Sequence, residues 1–353
     1  METKVRKVPS DYESSLNLKK RVDRIRAKKP DFIAVSNREW YSLFRDEIRN
    51  SIAIEGVFAN RNDLRDVLER NKRTNKEKTA AILGYFEAAS SMYEYASNQY
   101  KESEFVLRLS DIKQVHTLLM RYEKQLGTYS GDIGEFRKGN IEVAQATFRP
   151  IDVYSIRKAM TLLVKWFNAQ CADPKVDKIL LAAIVHAWFE TIHPFRDGNG
   201  RSGRILLSYL LIGAGFVNVA IKGISRRDRE TYYNALEACD DCFEQLHTSI
   251  EQGEAISLGD VDVAIADTDF SVLADMFHTS LQDTVTRLQQ QDRKHPRSGD
   301  GVPLRELAQL FDYSQDYLRN LINRGNLKAE KRGKLWYARV GDMHHYLKGR
   351  KKS

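Results

Sequence analysis

Apolar residues recur at helical spacing along most of this chain. Between Asn37 and Asn50 they fall at Trp40, Leu43, Phe44 and Ile48, and the stripe continues through Ser51–Gly56. This predicts an amphipathic helix that Gly56 can close from a left-handed position. The same period predicts helices over Lys76–Tyr100, from a Ser110 cap to Lys124, and over Ile151–Gln170, Asp177–Ile192, Arg201–Ala214, Asp228–Gln252 and Phe270–Gln291. Gly127–Asn140 interrupts the pattern with four glycines, and Ile141–Phe148 ("IEVAQATF") alternates as a strand or hairpin would. Gly253–Asp269, acidic and rich in small residues, reads as a boundary, and Arg293–Gly301 as a polar linker. Beyond it, Val302–Leu347 reads as helix, turn, helix, a hairpin around Arg332–Gly333, and a closing helix. The fold class expected is mainly α. The expected organisation is an N-terminal helical region (1–105), a core domain (106–255), a helical connector (256–295) and a small C-terminal domain (296–353).

Charge adds one feature to this picture. The chain of 353 residues carries a formal +8, and residues 296–353 hold 13 Lys and Arg against 6 Asp and Glu. A basic terminal domain suits a polyanion partner, although basic tails also serve solubility. Three cysteines make no disulfide framework. Cys239 and Cys242 share a helix face and read as packing. The first fifteen residues contain no apolar signal core. The longest apolar stretch, Ile205–Ile221, is broken by Ser208, Gly213, Gly215 and Asn218 and is too short for a bilayer. A cytoplasmic protein with no membrane partner is expected.

The chemistry concentrates in "TIHPFRDGNGRSGR", Thr191–Arg204. Glycines before an apolar-periodic helix let successive N–H groups converge on an anion, and the helix N-terminus adds positive potential. Arg201 and Arg204, three apart, can reach one polyphosphate. Asp197 can hold Mg²⁺, which favours one or two carboxylates plus phosphate oxygens. A neutral His193 can accept a proton from a hydroxyl. Phe195 can pin the loop into the core. A structural turn would explain the glycines alone, not the whole set.

"HPFRDGNGRSGR" matches in full the HxFx[DE]GNGRxxR motif of the Fic family, and the chain resembles that family from about Arg108 to Gln252. The resemblance implies a Fic-type helical core with a small β-hairpin flap. It implies a protein adenylyltransferase that moves AMP from ATP, with Mg²⁺, to a Ser, Thr or Tyr hydroxyl of a target protein, self-modification included. His193 would be the base and Asp197 the metal ligand. Gly198, Asn199, Gly200, Arg201, Ser202, Gly203 and Arg204 would bind ATP, with Tyr232 or Tyr233 beside the adenine. The flap, Val143, Ala144, Gln145, Ala146 and Thr147, would pair with a target strand. It lacks the glycine expected in such a flap.

"SIAIEG" (Ser51–Gly56) fits the family's inhibitory pattern [ST]xxxE[GN]. Glu55 would form a bidentate pair with Arg204 and occupy the γ-phosphate site. The same carboxylate could instead align water to remove AMP, which leaves a de-AMPylating or bifunctional enzyme open. The C-terminal segment resembles an excisionase/MerR-like winged helix-turn-helix. This implies DNA contacts from Arg319, Asn320, Arg324, Lys331, Arg332 and Lys334, or else a protein-binding or dimerising role. A nucleotide-sensing DNA-binding regulator, and a homodimer, stay open at this point.

Overall fold

The computed structural model describes residues 14–72, 75–143, 146, 148–294, 301–311, 313–333 and 335–350. Two compact units divide it, Met1–Thr286 and Arg287–Ser353. The first unit is helical among its described residues: α1 (Ser15–Lys28), α2 (Arg38–Ile54), α3 (Arg61–Leu68), α4 (Lys76–Lys101), α5 (Leu109–Leu126), α6 (Ile156–Ala172), α7 (Lys178–Ile192), α8 (Asn199–Gly213), α9 (Arg226–Glu237), α10 (Asp240–Glu251), α11 (Leu258–Ile265) and α12 (Ser271–Lys294), whose last turns run into the second unit.

The apolar stretch after the glycine loop becomes α8, buried along nearly its whole length and packed on α4, α5 and α7. Helices α4 and α5 approach closely because Gly84 has no side chain: a Cβ there would lie 2.0 Å from the Leu119 carbonyl oxygen. Helix α2 lays its apolar stripe on this core, with Trp40, Phe44, Ile48 and Ile52 fully buried. A buried acid also ties it down. Tyr85 and Tyr93 of α4 donate to Glu47 Oε1 at 2.9 and 2.5 Å, and Asn218 Nδ2 donates to Oε2 at 2.6 Å. Burial pushes the Glu47 carboxyl up to about 7 despite these donors. Glu47, Ser51 and Glu55 stand four apart, so one face of α2 carries all three polar groups.

Several elements differ from the sequence reading. Helix α5 starts at Leu109, because Asp111 accepts the Arg108 N–H at 2.9 Å and Ser110 does not cap. Helix α6 starts only at Ile156. The single helix expected over Asp228–Gln252 breaks at Ala238–Cys239, which lets Asp240 accept from Thr191 Oγ1 of α7 at 3.0 Å. The expected boundary at 253–269 contains α11, which Trp166 Nε1 of α6 joins through Asp262 at 2.8 Å. No described residue of 141–148 lies in a strand. The thiols of Cys239 and Cys242 donate to backbone carbonyls within the chain, as packing residues do.

The second unit has its own sheet and core. Strands β1 (Gly301–Pro303), β2 (Ala329–Arg332) and β3 (Leu335–Arg339) are antiparallel in the order β1-β3-β2. Helices α13 (Leu304–Phe311), α14 (Gln315–Asn323) and α15 (Val340–Arg350) enclose Leu307, Leu318, Leu321 and Met343. Gly333, at φ +62°, turns the β2–β3 hairpin. Most of the expected linker, residues 295–300, falls outside the described residues. Among those described, no helix is long and apolar enough to cross a membrane.

Candidate active site

Helix α7 ends at His193, which takes the left-handed conformation at φ +49°. That region is uncommon for any residue with a side chain, and asparagine, aspartate and histidine enter it most readily. The loop that follows is held from within. Asn199 accepts from the Phe195 N–H and donates to the Phe195 carbonyl, both at 2.8 Å. Phe195 is fully buried and stacks on His116 with ring centres 3.9 Å apart. The Gly134 N–H donates to His116 Nδ1 at 2.8 Å, so His116 Nε2–H must donate to the Asp197 carbonyl at 3.1 Å. Gly198, at φ +75°, then opens α8.

His193 Nδ1 lies 3.2 Å from the Glu190 carbonyl. A carbonyl only accepts, so Nδ1 carries the proton and Nε2 keeps a free lone pair. Burial lowers the imidazole to about 4, although the Glu190 carbonyl and the Glu55 and Asp197 charges oppose it, and Arg137 adds to the lowering. His116, and His186 behind the site, are likewise lowered by burial, to about 4 and about 3.

The anion site expected at the start of α8 faces a carboxylate of the same chain. Arg204 is buried and donates from Nε to Ser51 Oγ at 2.8 Å, from Nη2 to the Ser51 carbonyl at 3.0 Å and from Nη2 to Glu55 Oε1 at 2.5 Å. The pair is therefore not bidentate, because Ser51 takes the remaining face of the guanidinium. Glu55 Oε1 also sits over the first turn of α8: a Cβ on Gly200 would lie 2.6 Å from it. Burial works to raise the Glu55 carboxyl, but the Arg204 and Arg201 charges outweigh it and hold it below its ordinary value. Burial works to lower Arg204, but the Glu55 charge, with Tyr232 and Glu190 behind it, outweighs burial and raises it above its ordinary value.

Other expected ligands of a nucleotide are already engaged. Arg201 pairs with Glu123 of α5, and Asp197 Oδ1 stands 3.9 Å from Arg201 Nη2. The side chain of Asn199 closes its own loop. Ser202 is buried, and Gly203 packs on α7, where a Cβ would meet Glu190 Oε1 at 2.1 Å. Ser202 Oγ has no hydrogen-bond partner among the described residues. Glu190 Oε1 is buried with no hydrogen-bond partner, and burial pushes its carboxyl up to about 8. Of the two tyrosines expected beside the adenine, Tyr232 is fully buried, and its hydroxyl donates to His186 Nε2 at 2.7 Å. Tyr233 is half-exposed and donates to the Ile54 carbonyl at 3.2 Å, next to Glu55.

Asp197 has 60% of its side chain exposed at the loop, with Oδ1 accepting the Gly198 N–H at 2.5 Å. No group of three or more His, Cys, Asp or Glu side chains that could hold a metal occurs among the described residues. One open carboxylate beside an anion site fits a Mg²⁺ held largely by phosphate oxygens. Of the flap, the Ala146 N–H donates to the Val143 carbonyl at 3.2 Å, while Ala144, Gln145 and Thr147 lie outside the described residues. In the second unit Arg319, Asn320 and Arg324 are exposed along and just after α14, and Lys331 and Arg332 on β2. Arg319 pairs with Asp316 and Arg332 with Glu330, and Lys334 lies outside the described residues.

Sequence reasoning missed Glu123, His116 and Arg137 as parts of this site, and it missed Ser51 as a partner of Arg204. Only Ser51 had a signal, its spacing to Glu55.

Residues 106–211 match the family model described as the Fic/DOC family. The chain is similar to a probable protein adenylyltransferase, aq_aa38, of Aquifex aeolicus, with 26% identity over 286 residues, covering 80% of this chain and 83% of the relative. It is 26% identical over 194 residues to the protein adenylyltransferase Fic of Nematostella vectensis, covering 55% of this chain and 38% of that protein. The chain thus spans less than half the length of that second relative. In fold it resembles a Fic domain containing signaling protein from Bacteroides thetaiotaomicron (TM-score 0.59, 21% identity, 78% of this chain and 97% of that one). It also resembles Fic-1 of Caenorhabditis elegans (TM-score 0.54, 19% identity, 79% and 73%). The helical core around α5–α8 is therefore a Fic-type fold, in a domain whose curated relatives are nucleotidyltransferases.

Proposed function

We propose that this chain is a protein adenylyltransferase held in check by its own α2. The observation that carries this is the contact of Glu55 with both Arg204 and the first turn of α8. An acidic side chain stands where the anion site would take a terminal phosphate. With Glu55 withdrawn, Arg204 keeps its Ser51 contacts and presents its freed N–H groups to a triphosphate. The N-terminal turn of α8 receives the phosphates nearer the sugar. His193 Nε2 takes the proton of a target hydroxyl, whose oxygen bonds to the α-phosphorus. The bond from that phosphorus to the bridging oxygen breaks, and pyrophosphate leaves. Asp197 would hold Mg²⁺, which would neutralise phosphate charge. The flap, Val143–Thr147, would take the target segment; just after it, the Phe148 ring centre lies 6.3 Å from that of His193. A second reading, removal of AMP with Glu55 orienting water, uses the same carboxylate and rests on its partial exposure.

The test is product analysis with ATP and Mg²⁺ across pH. The reading expects pyrophosphate release coupled to protein-bound AMP. Because His193 is lowered to about 4, it stays unprotonated and competent above about pH 5, whereas an unperturbed histidine loses half its activity near 6.5. Release of orthophosphate with a phosphorylated protein would overturn the reading. An acid limb near 6.5 would contradict the assigned base.

For the second unit we propose DNA as partner, supported by the exposed basic side chains along α14 and β2. Exchanging Arg324 and Lys331 for alanine should weaken a gel shift of duplex DNA, and unchanged mobility of duplex with the parent chain would remove the proposal.

A further inference from the structure

One buried cation in the first unit takes no part in the chemistry above. Arg137 is only 6% exposed. Among the described residues its guanidinium donates only to neutral oxygens. Nε donates to the His193 carbonyl at 3.0 Å, Nη1 to the Gly139 carbonyl at 3.0 Å and Asn140 Oδ1 at 3.4 Å, and Nη2 to the Ile151 carbonyl. Its own N–H donates to the Pro194 carbonyl at 2.9 Å. Burying an arginine without a carboxylate is costly, so the site must supply geometry in return.

The three places it holds are specific. His193 and Pro194 form the turn that aims the proposed base, and one residue fixes both their carbonyls. Gly139 and Asn140 precede the segment beside the base, and Ile151 follows it. Asn140 strengthens the closure, donating to Asp152 Oδ2 at 2.8 Å and accepting the Val153 N–H at 2.9 Å. The chain therefore leaves and re-enters the core at one guanidinium, which also grips the strained backbone of His193. A planar fork with five donors can do this, and a lysine ammonium cannot span the same carbonyls.

We infer that Arg137 is a positioning residue: it locks the His193 turn and both stems of the 141–150 segment into one rigid unit, so that target segment and base are presented together. This rests on the reading of the site as an adenylyltransferase.

The experiment compares Glu55→Gly with Glu55→Gly/Arg137→Met and Glu55→Gly/Arg137→Lys in the full chain. Three quantities are read: self-labelling from α-labelled ATP, ATP affinity by calorimetry, and amide exchange at 139–141 and 151–153. Misplacement by about 1 Å costs about 100-fold, so Arg137→Met should label about 100-fold more slowly, with ATP affinity changed by less than about 3-fold. Exchange should quicken at the two stems while α4, α5, α7 and α8 keep their protection. Arg137→Lys should recover no more than about a tenth of the rate. Labelling by Arg137→Met at the parent rate, or stems as protected as in the parent, would overturn the inference. Loss of protection throughout the core in both variants would also overturn it, making Arg137 a general stability residue. If Glu55→Gly itself transfers no AMP, the functional reading fails, and the exchange at the stems still decides the role of Arg137.

Discussion

Replacing Glu55 by glycine should raise AMP incorporation by about 100- to 1,000-fold, the scale on which one preorganised donor aimed at developing charge accelerates a reaction. The carboxylate holds one face of Arg204 at 2.5 Å and covers Gly200, and no other acidic side chain touches that guanidinium among the described residues. Ser51 continues to orient Arg204 through Nε at 2.8 Å, so the arginine is released and not lost. Glu55 caps α2 at its C-terminal end, a place where glycine is favoured. The anchors of α2 at Glu47 and its apolar stripe stay intact, so the fold should survive. Glu55→Gln keeps the shape and loses the charge, and should fall between the two. The measurement is the initial rate of label transfer from α-labelled ATP. If the wild type removes AMP, the same substitution should also abolish release of AMP from modified protein.

The second large effect is loss of transfer in His193→Ala, by about 100- to 10,000-fold in the Glu55→Gly background, the usual contribution of a positioned base. The assignment is geometric: Nδ1 is committed to the Glu190 carbonyl, which leaves Nε2 to accept a proton. Alanine is strained at φ +49°, so His193→Asn serves as the control, since asparagine tolerates that conformation without supplying a base. Both variants should bind ATP as the parent does. Retained transfer in His193→Asn would assign the proton to another group.

The signature loop was legible in sequence because its residues act on one another locally: His193, Gly198 and the start of α8 lie within a dozen positions. Glu55 was legible for a different reason, as the spacing from Ser51 puts both on one turn-to-turn face of α2. The role of Ser51 as a partner of Arg204 emerged only with the fold, and it changed a bidentate pair into a shared one. Arg201–Glu123, His116–Gly134 and Arg137–Ile151 join separate elements, and no local periodicity encodes such pairs. The tyrosine pair shows where the sequence left a choice open. The family resemblance offered Tyr232 or Tyr233 beside the adenine, and helical phase turns Tyr232 inward onto His186 and Tyr233 outward. The break between α9 and α10 was invisible because an unbroken apolar period spans it, and the buried Asp240–Thr191 contact decides it.

The most direct test of the braked adenylyltransferase is to incubate wild type, Glu55→Gly and Glu55→Gly/His193→Asn in parallel with α-labelled and γ-labelled ATP. The account predicts label from the α-phosphate only, strong in Glu55→Gly, weak in wild type and absent when His193 is also replaced. Equal α-labelling of wild type and Glu55→Gly, or transfer of the γ-label, would contradict it.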